Sequence, residues 1–420
     1  MKPESTPATA GCVTASVAWT KRIRQQKCAY SLAMAIVLGL AMAASPSAQG
    51  QSYKEKVLYQ FSGTTDGANP YAGLISDAKG NLYGTATLGG TGTGCSGSSC
   101  GVVFKVTAGG KETVLHSFAG PPNDGAFPYG GLLSAVAGVF HGTTYQGGKH
   151  GFGTVFSLST AGKEKVLYNF KGSPDGDQPC SGLLADGMGN FYGITDHGGK
   201  SGFGTVFELT KANLESVIYS FTTISFPGSL PCATLISDGK GSLYGTTYFG
   251  GTSGLGSVFK VTKAGVETVL HSFTGPDGAF PVGGLLADGK GNLFGTTSAG
   301  GTTTTCGGVG CGVVFKLDKK GNETVLHPFD GRDGEVPYGV LIEDTKGNLY
   351  GTTTLGGAAG FGTVFKVTQA SKETVLWSFK GGDDGVSPFA GLLSDAKGDL
   401  FGTTEQGGFA GVGVVFELIP

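Results

Sequence analysis

One spacing constrains this chain more than any other feature. A Pro followed within two or three residues by Gly (Thr234 after Pro231) and an apolar pair recurs at Pro70, Pro128, Pro179, Pro231, Pro281, Pro337 and Pro388, at intervals of 58, 51, 52, 50, 56 and 51 residues. Units of this length mean a repeat architecture, in which each unit buries its apolar face against its neighbours. The two longest units carry Cys95/Cys100 and Cys306/Cys311, so their extra length reads as loop insertion into an unchanged scaffold.

Each unit holds four short apolar segments separated by turn chemistry. In one copy these are residues 339–342, 349–353, 363–367 and 374–379, all of strand length and too closely spaced for a helix. Asp344-Thr345-Lys346-Gly347-Asn348, between the first two, supplies Gly and Asn where a tight turn needs left-handed backbone. Glycine numbers 79 in 420 residues, but without the Gly-X-Y period of collagen, and 27 Phe with 14 Tyr argue against disorder. Seven units of four strands predict an all-β fold, a seven-bladed β-propeller with four antiparallel strands per blade. Residues 56–61 look like a fourth strand and residues 414–418 like a third, so the N-terminal strand is expected to close the last blade, leaving no open edge. With strands lettered a to d from the axis outward, the a–b and c–d turns share a uniform face. The d–a and b–c loops share the variable one, where a ligand is expected.

Residues 1–48 read as a secretory signal peptide. A basic stretch (Lys21, Arg22, Arg24, Lys27) precedes an apolar run from 29 to 43, and the small residues from Ala44 to Ala48 mark the expected cleavage region. Residues 49–55 then form a short leader to a propeller spanning 56–420. Without residues 1–48 the chain has 24 basic and 30 acidic residues, net charge −6, and Arg332 is its single arginine. Neither a nucleic-acid partner nor stable membrane insertion is expected. Secretion or a periplasmic or cell-surface location, and a monomer, are. The spacing of Cys95/Cys100 and Cys306/Cys311 predicts two local disulfides in an oxidising compartment. Cys180 and Cys232 each follow a repeat Pro, and either an inter-blade disulfide or two buried thiols fits that place.

The pattern G-L-L-S-D-A-K-G-N-L-Y-G-T-T, then Gly-Gly, G-F-G-T-V-F-K-V-T and E-T-V-L-x-S-F, carried by residues 339–379 and 391–408, resembles the tandem repeat of the GloVer family of bacterial extracytoplasmic proteins. All seven units match it. The segment D-x-K-G-N-L-Y is also similar, over a short stretch, to NHL-type repeats. The GloVer resemblance implies export and a propeller-like array, with no assigned reaction or catalytic residues to carry over.

Candidate site residues come from the two positions before each Gly-Gly in the b–c loops. Three blades carry Thr87-Leu88, Ser298-Ala299 and Thr354-Leu355; the other four carry Tyr145-Gln146, Asp196-His197, Tyr248-Phe249 and Glu405-Gln406, with Lys149, His150 and Lys200 just beyond. These residues form the candidate ligand-binding set; the competing reading is exposed loop tips free to vary. Asp66, Asp124, Asp175, Asp277, Asp333 and Asp384 precede Gly in the d–a loops, as turn caps or as calcium ligands. His116, His271 and His327 share the d-strand position of Tyr59, Tyr168, Tyr219 and Trp377 and read as packing residues, which leaves His141, His150 and His197 for chemistry. No catalytic motif, metal or cofactor is predicted. The expectation is a non-catalytic binding module for an extracellular carbohydrate, envelope component or protein. A metal-assisted hydrolase or lyase with its site on the variable face is the alternative, and a structural surface protein without a ligand is the second.

Overall fold

The computed structural model describes residues 53–420 except 137, 223–227 and 304; the expected signal peptide, residues 1–48, lies outside them. The described residues form seven consecutive four-stranded antiparallel blades, and two of these gain a short extra strand from the d–a loop. In blade 6 strands a to d are Ile342–Glu343, Leu349–Leu355, Thr363–Val367 and Glu373–Ser378. Blade 7 comprises Leu393–Ser394, Leu400–Thr404 and Val414–Ile419, completed by Lys54–Gln60, which pairs antiparallel with Val414–Ile419 from Lys54↔Ile419 to Gln60↔Val414. The predicted closure is therefore the observed one. Among the described residues the only helices are two three-residue 3-10 turns, and none is long and apolar enough to cross a membrane.

Strand a is shorter than the apolar segment that signals it. Within the segment 339–343 only Ile342 and Glu343 pair with strand b of blade 6, because Gly339 lies where neighbouring blades meet. A Cβ on Gly339 would lie 2.6 Å from the Ala390 carbonyl oxygen of blade 7. Innermost segments touch in this way around the ring, aided by hydroxyls such as Thr403 Oγ1, which donates to the Ala72 carbonyl across the closure.

The core lies between the blades and repeats seven times. Each strand c contributes a fully buried Phe (Phe104, Phe156, Phe207, Phe259, Phe315, Phe365, Phe416). The Phe that follows each strand d meets the strand-c Phe of the next blade edge to face, with ring centroids 5.0–5.3 Å apart, from Phe61–Phe104 to Phe379–Phe416. The strand-c ring also covers a strand-b glycine of its own blade. A Cβ on Gly351 would lie 2.6 Å from Phe365 Cζ, so Gly is required there for close approach.

The residue before every repeat Pro is left-handed: Asn69, Phe127, Gln178, Leu230, Phe280, Val336 and Ser387 have φ between 51° and 59°. This costs energy for a side chain of any size, and most for the β-branched Val336. The cost is tolerated because these peptides join successive blades. Val336 N–H donates to the Cys311 carbonyl of blade 5, and Glu405 N–H donates to the carbonyl of Ser387, its equivalent in blade 7.

At the outer rim each Asp-Gly loop is held by a strand-d side chain. Tyr59 and Tyr168 donate to Asp66 and Asp175, Trp377 Nε1–H donates to Asp384, and His116, His271 and His327 Nε2 lie 3.1, 3.0 and 2.8 Å from Asp124, Asp277 and Asp333. The same aspartates accept backbone N–H groups of their own loops, such as Ser62 N–H to Asp66 and Lys380 N–H to Asp384. Turn capping thus accounts for the Asp-Gly pairs, and the three histidines both pack, edge-on against Phe118, Phe273 and Phe329, and hydrogen-bond.

All three cysteine pairs are disulfides: Cys95–Cys100, Cys306–Cys311 and, across blades 3 and 4, Cys180–Cys232 with Cα atoms 5.5 Å apart. A bridge stabilises in proportion to the logarithm of the loop it closes. Removing Cys180–Cys232 (separation 52) should cost about 4 kcal/mol, against about 2 kcal/mol for either local pair. Calorimetry of the two serine double variants checks that ranking, and equal losses would contradict it.

Candidate functional site

The b–c tips are not free loops. In every blade the second residue of the variable pair bridges antiparallel to the residue after the Asp-Gly turn or its blade-4 equivalent: Ala68↔Leu88, Ala126↔Gln146, Asp177↔His197, Ser229↔Phe249, Ala279↔Ala299, Glu335↔Leu355 and Val386↔Gln406. The backbone at these pairs is therefore constant around the ring, and there only the side chains differ. The first residue of each pair turns inward. Asp196 and Glu405 are buried, and Tyr145 and Tyr248 half-buried, so the expectation of exposed tips is corrected at these four. Gln146, Lys149, His150, Lys200 and Gln406 are exposed.

Blades 1, 5 and 6 fill the inward position with small hydroxyls that return to the backbone: Thr87 donates to Asn69 O, Ser298 to Phe280 O and Thr354 to Val336 O. Blades 7 and 2 break this symmetry by reaching sideways. Glu405 Oε1 accepts the hydroxyl proton of Tyr71 in blade 1, and Tyr145 Oη lies 3.5 Å from Asp196 Oδ2 in blade 3. Tyr71 is the residue directly after its repeat Pro, a position outside the candidates read from the sequence. Four residues at this position, Tyr338, Phe389, Tyr71 and Tyr129, form a half-buried aromatic arc over blades 6, 7, 1 and 2, with centroid spacings of 5.1, 5.0 and 5.4 Å. Tyr145 joins it edge-on to Tyr129 at 5.2 Å. The Cys180–Cys232 bridge holds the same position in blades 3 and 4.

Burial and carboxylate charge act together here. Burial, then Glu405, hold the Tyr71 and Tyr129 hydroxyls above the ordinary phenol value, and burial with Asp196 does the same for Tyr145. Asp177, which sequence reasoning passed over, stands opposite His197 and has a buried Oδ1 without a hydrogen-bond donor. Burial pushes its carboxyl up to about 6, with His197 opposing and Asp196 adding to the shift. His197 Nδ1 lies 3.3 Å from Asp196 Oδ2; burial disfavours its charge, but the two carboxylates outweigh burial and raise its pKa. The sequence signal was a charged residue directly after Asp-Gly, where Ala68, Ala126, Ala279 and Val386 stand in other blades. In blade 4 Tyr248 stacks on Phe280 at 5.1 Å and meets Phe249 edge-on at 4.7 Å.

Two placements differ from expectation. His141 is buried against Phe191 with ring centroids 4.4 Å apart, and burial lowers its pKa, so it is a neutral core residue rather than one available for chemistry. Gln146 lies away from the arc, in a groove of about 330 Å³ between the Cys95–Cys100 insertion and blade 2. The described groupings that bring three potential metal ligands together, His116/Asp124/Glu164 and His327/Asp333/Glu373, lie at the outer rim between blades. Their counterparts in other blades use Tyr or Trp in place of His for the same hydrogen bond, which marks the arrangement as structural.

The repeat profile described as the Gloeobacter/Verrucomicrobia repeat matches residues 39–187, 162–309 and 301–420. The chain belongs to this family. Its resemblance to the repeat thus extends over the whole propeller, the aromatic arc included. None of the curated proteins matches in sequence. Among solved structures the family member resembles the extracellular domains of two B. thetaiotaomicron proteins. These are BT4673, described as a one component system (10% identity, TM-score 0.53, 87% of this chain and 40% of that one), and BT3049, described as a hybrid two component system (13%, 0.52, 87% and 41%). The chain spans about two fifths of the length of those proteins, and the likeness is one of fold.

Proposed function

We propose that the protein is an extracytoplasmic, non-catalytic binding module. Its site is the axial mouth on the d–a and b–c face, and its ligand is a hydroxyl-rich extracellular molecule such as an oligosaccharide. One observation carries this reading: on a face whose backbone repeats sevenfold, only blades 6, 7, 1 and 2 line the mouth with a continuous aromatic arc, backed by Glu405 and Asp196. Aromatic rings offer flat apolar surface to sugar C–H faces while buried carboxylates and phenol oxygens accept hydroxyls. Three disulfides and a fold shared with extracellular domains support action outside the cytoplasm.

The test is a thermal-shift and calorimetric screen of residues 49–420 against an oligosaccharide panel, since ligand at about a hundred times Kd adds about 2.7 kcal/mol of apparent stability. Alanine at Tyr129 and Tyr145 together should weaken a hit by about tenfold or more, at roughly 1 kcal/mol per lost ring contact. Undiminished binding by that double variant would refute the site.

A further inference from the structure

Where strand d hydrogen-bonds its Asp-Gly loop that bond is structural, but two blade junctions gather more than it needs. Between blades 1 and 2, a ring nitrogen of His116, a carboxylate oxygen of Asp124 and one of Glu164 lie within 4.8 Å of one another, and between blades 5 and 6 His327, Asp333 and Glu373 do the same. An imidazole and two carboxylates are ligand types of a divalent transition metal. The spacing fits as well. His116 Nε2 and His327 Nε2 stand 3.1 and 2.8 Å from Asp124 Oδ2 and Asp333 Oδ2, and two ligands bound at about 2.0 Å to a tetrahedral ion stand about 3.3 Å apart. An ion can therefore replace the proton between ring and carboxylate, with the neutral imidazole carrying its one N–H at Nδ1. Oε1 of Glu164 and of Glu373 is fully buried without a hydrogen-bond donor, so a buried acceptor is left over at each place. The four His and Asp side chains are 12–20% exposed, which leaves an ion a way in.

Bracing sets these two junctions apart from the others. Cys95–Cys100 packs against Gly120, where a Cβ would lie 2.9 Å from both sulfurs, and the Gly120 carbonyl accepts the N–H of Asp124. Cys306–Cys311 packs against Gly331, at 3.4 and 3.9 Å from such a Cβ, and Gly331 N–H closes the turn around Asp333 by donating to the Gly334 carbonyl. The junction of blades 4 and 5 is an internal control. There His271 Nε2 stands 3.0 Å from Asp277, no cysteine insertion precedes the loop, and the set with Glu323 does not close to 4.8 Å. Charge separates the junctions too. Asp124 and His116 act on Glu164, and Asp333 and Asp330 on Glu373, whereas Lys171 faces Glu215 and Lys380 faces Glu55 at junctions whose strand d carries Tyr168 or Trp377.

We propose that the outer rim holds two metal sites, His116/Asp124/Glu164 and His327/Asp333/Glu373, each taking one divalent ion of the zinc class and tying two neighbouring blades together. A water completes the four-coordinate shell. Magnesium and calcium take oxygen ligands, so the imidazole selects against them. The ligands come from strand d of one blade, the loop that leaves it and strand d of the next, so each site exists only where two blades are docked.

Titration calorimetry of the chelator-treated propeller (residues 49–420), untagged and with its disulfides intact, tests this with zinc alone. The expected result is two equivalents per chain with a dissociation constant of about 10 µM or tighter, and no comparable binding of magnesium or calcium. Cobalt(II) should occupy the same two places and give the visible absorption of a four-coordinate ion, a readout that does not depend on stability. His116→Tyr and His327→Tyr install the residue that makes the same hydrogen bond in blades 7 and 2, Tyr59 and Tyr168, and each should remove one equivalent. His271→Tyr should leave both. Replacing Cys95 and Cys100 by Ser should weaken one site by about tenfold, as loss of a supporting contact does. Absence of zinc binding and of a cobalt spectrum in the wild-type protein would overturn the proposal, and equal binding of calcium would overturn the choice of ion. Two equivalents surviving in the His116→Tyr/His327→Tyr double variant would overturn the assignment to these residues. Unchanged affinity without the disulfide would remove its bracing role. All of these outcomes concern the rim, so they are independent of the oligosaccharide screen at the axial mouth.

Discussion

Replacing Phe315 by alanine should lower the unfolding free energy by about 3–5 kcal/mol, the range for removing a large buried aromatic ring. Phe315 is fully buried, meets Phe273 of blade 4 edge-on at 5.2 Å, and covers the space above Gly295, whose imagined Cβ would lie 2.6 Å from its Cζ. The loss opens a gap inside blade 5 and at the boundary with blade 4 together, so neither can close over it without shifting the other. Phe409→Ala is the matched control, because Phe409 is 68% exposed and its removal should change stability by less than about 0.5 kcal/mol. Equal losses in chemical denaturation would show that the inter-blade phenylalanine contacts do not hold the ring together.

The second large effect is on pH dependence. Every strand d carries a glutamate at its first or second residue, Glu55, Glu112, Glu164, Glu215, Glu267, Glu323 or Glu373, whose Oε1 is buried without a hydrogen-bond donor at a blade boundary. Burial, the first cause throughout, pushes these carboxyls up to about 7, and Glu373 to about 8. Aspartates facing from the preceding blade add to it, while His116, Tyr168, Lys171 and Lys380 oppose it. Asp66 faces Glu112, Asp124 and His116 face Glu164, Asp175, Tyr168 and Lys171 face Glu215, Asp277 faces Glu323, Asp333 and Asp330 face Glu373, and Asp384 with Lys380 faces Glu55.

A carboxyl whose folded pKa exceeds its unfolded value of 4.5 favours the folded state fully below pH 4.5, and that advantage is lost as pH rises through about 7. Each group is only about half shielded from water, so after discounting for screening each is worth about 1 kcal/mol. The melting temperature should therefore fall by about 5 °C or more between about pH 5 and pH 8.5. The a–b turn aspartates act in the opposite direction. Asp77 accepts hydrogen bonds from Asn81 and Tyr83 that hold it down at about 2, so stability is lost only in strong acid. Glu267→Gln isolates the effect, since burial alone shifts Glu267. It should raise the melting temperature at about pH 8.5 and leave it unchanged near pH 5. A flat profile for the wild-type protein would refute the argument.

Most of the architecture was legible without coordinates because it is written locally. The Pro period counts the blades, an Asp-x-Lys-Gly-Asn-like sequence marks the a–b turn of every blade but the second, and alternating apolar residues mark strands. The start of strand a was misplaced because residues 339–341 continue the apolar pattern although Gly339 is a contact point between blades. The candidate site was legible only in part. The variable pairs before each Gly-Gly pointed to Tyr145, Asp196 and Glu405, since loss of repetition within a repeat is visible in sequence alone. Tyr71, Tyr129, Tyr338 and Phe389 were not among the candidates, because an inward aromatic in one unit has no visible neighbour in the sequence.

By itself the sequence determined how many blades form, which strands each contains and which face varies, since these follow from turn chemistry and periodicity within about fifty residues. Only the tertiary structure decided which variable residues meet. Tyr71 and Glu405 are 334 residues apart and touch because the first strand closes the last blade. Asp177 faces His197, and Cys180 reaches Cys232, because neighbouring backbones are pinned together around the ring. No local pattern carries such contacts: they depend on where a closed circle of blades brings its two ends.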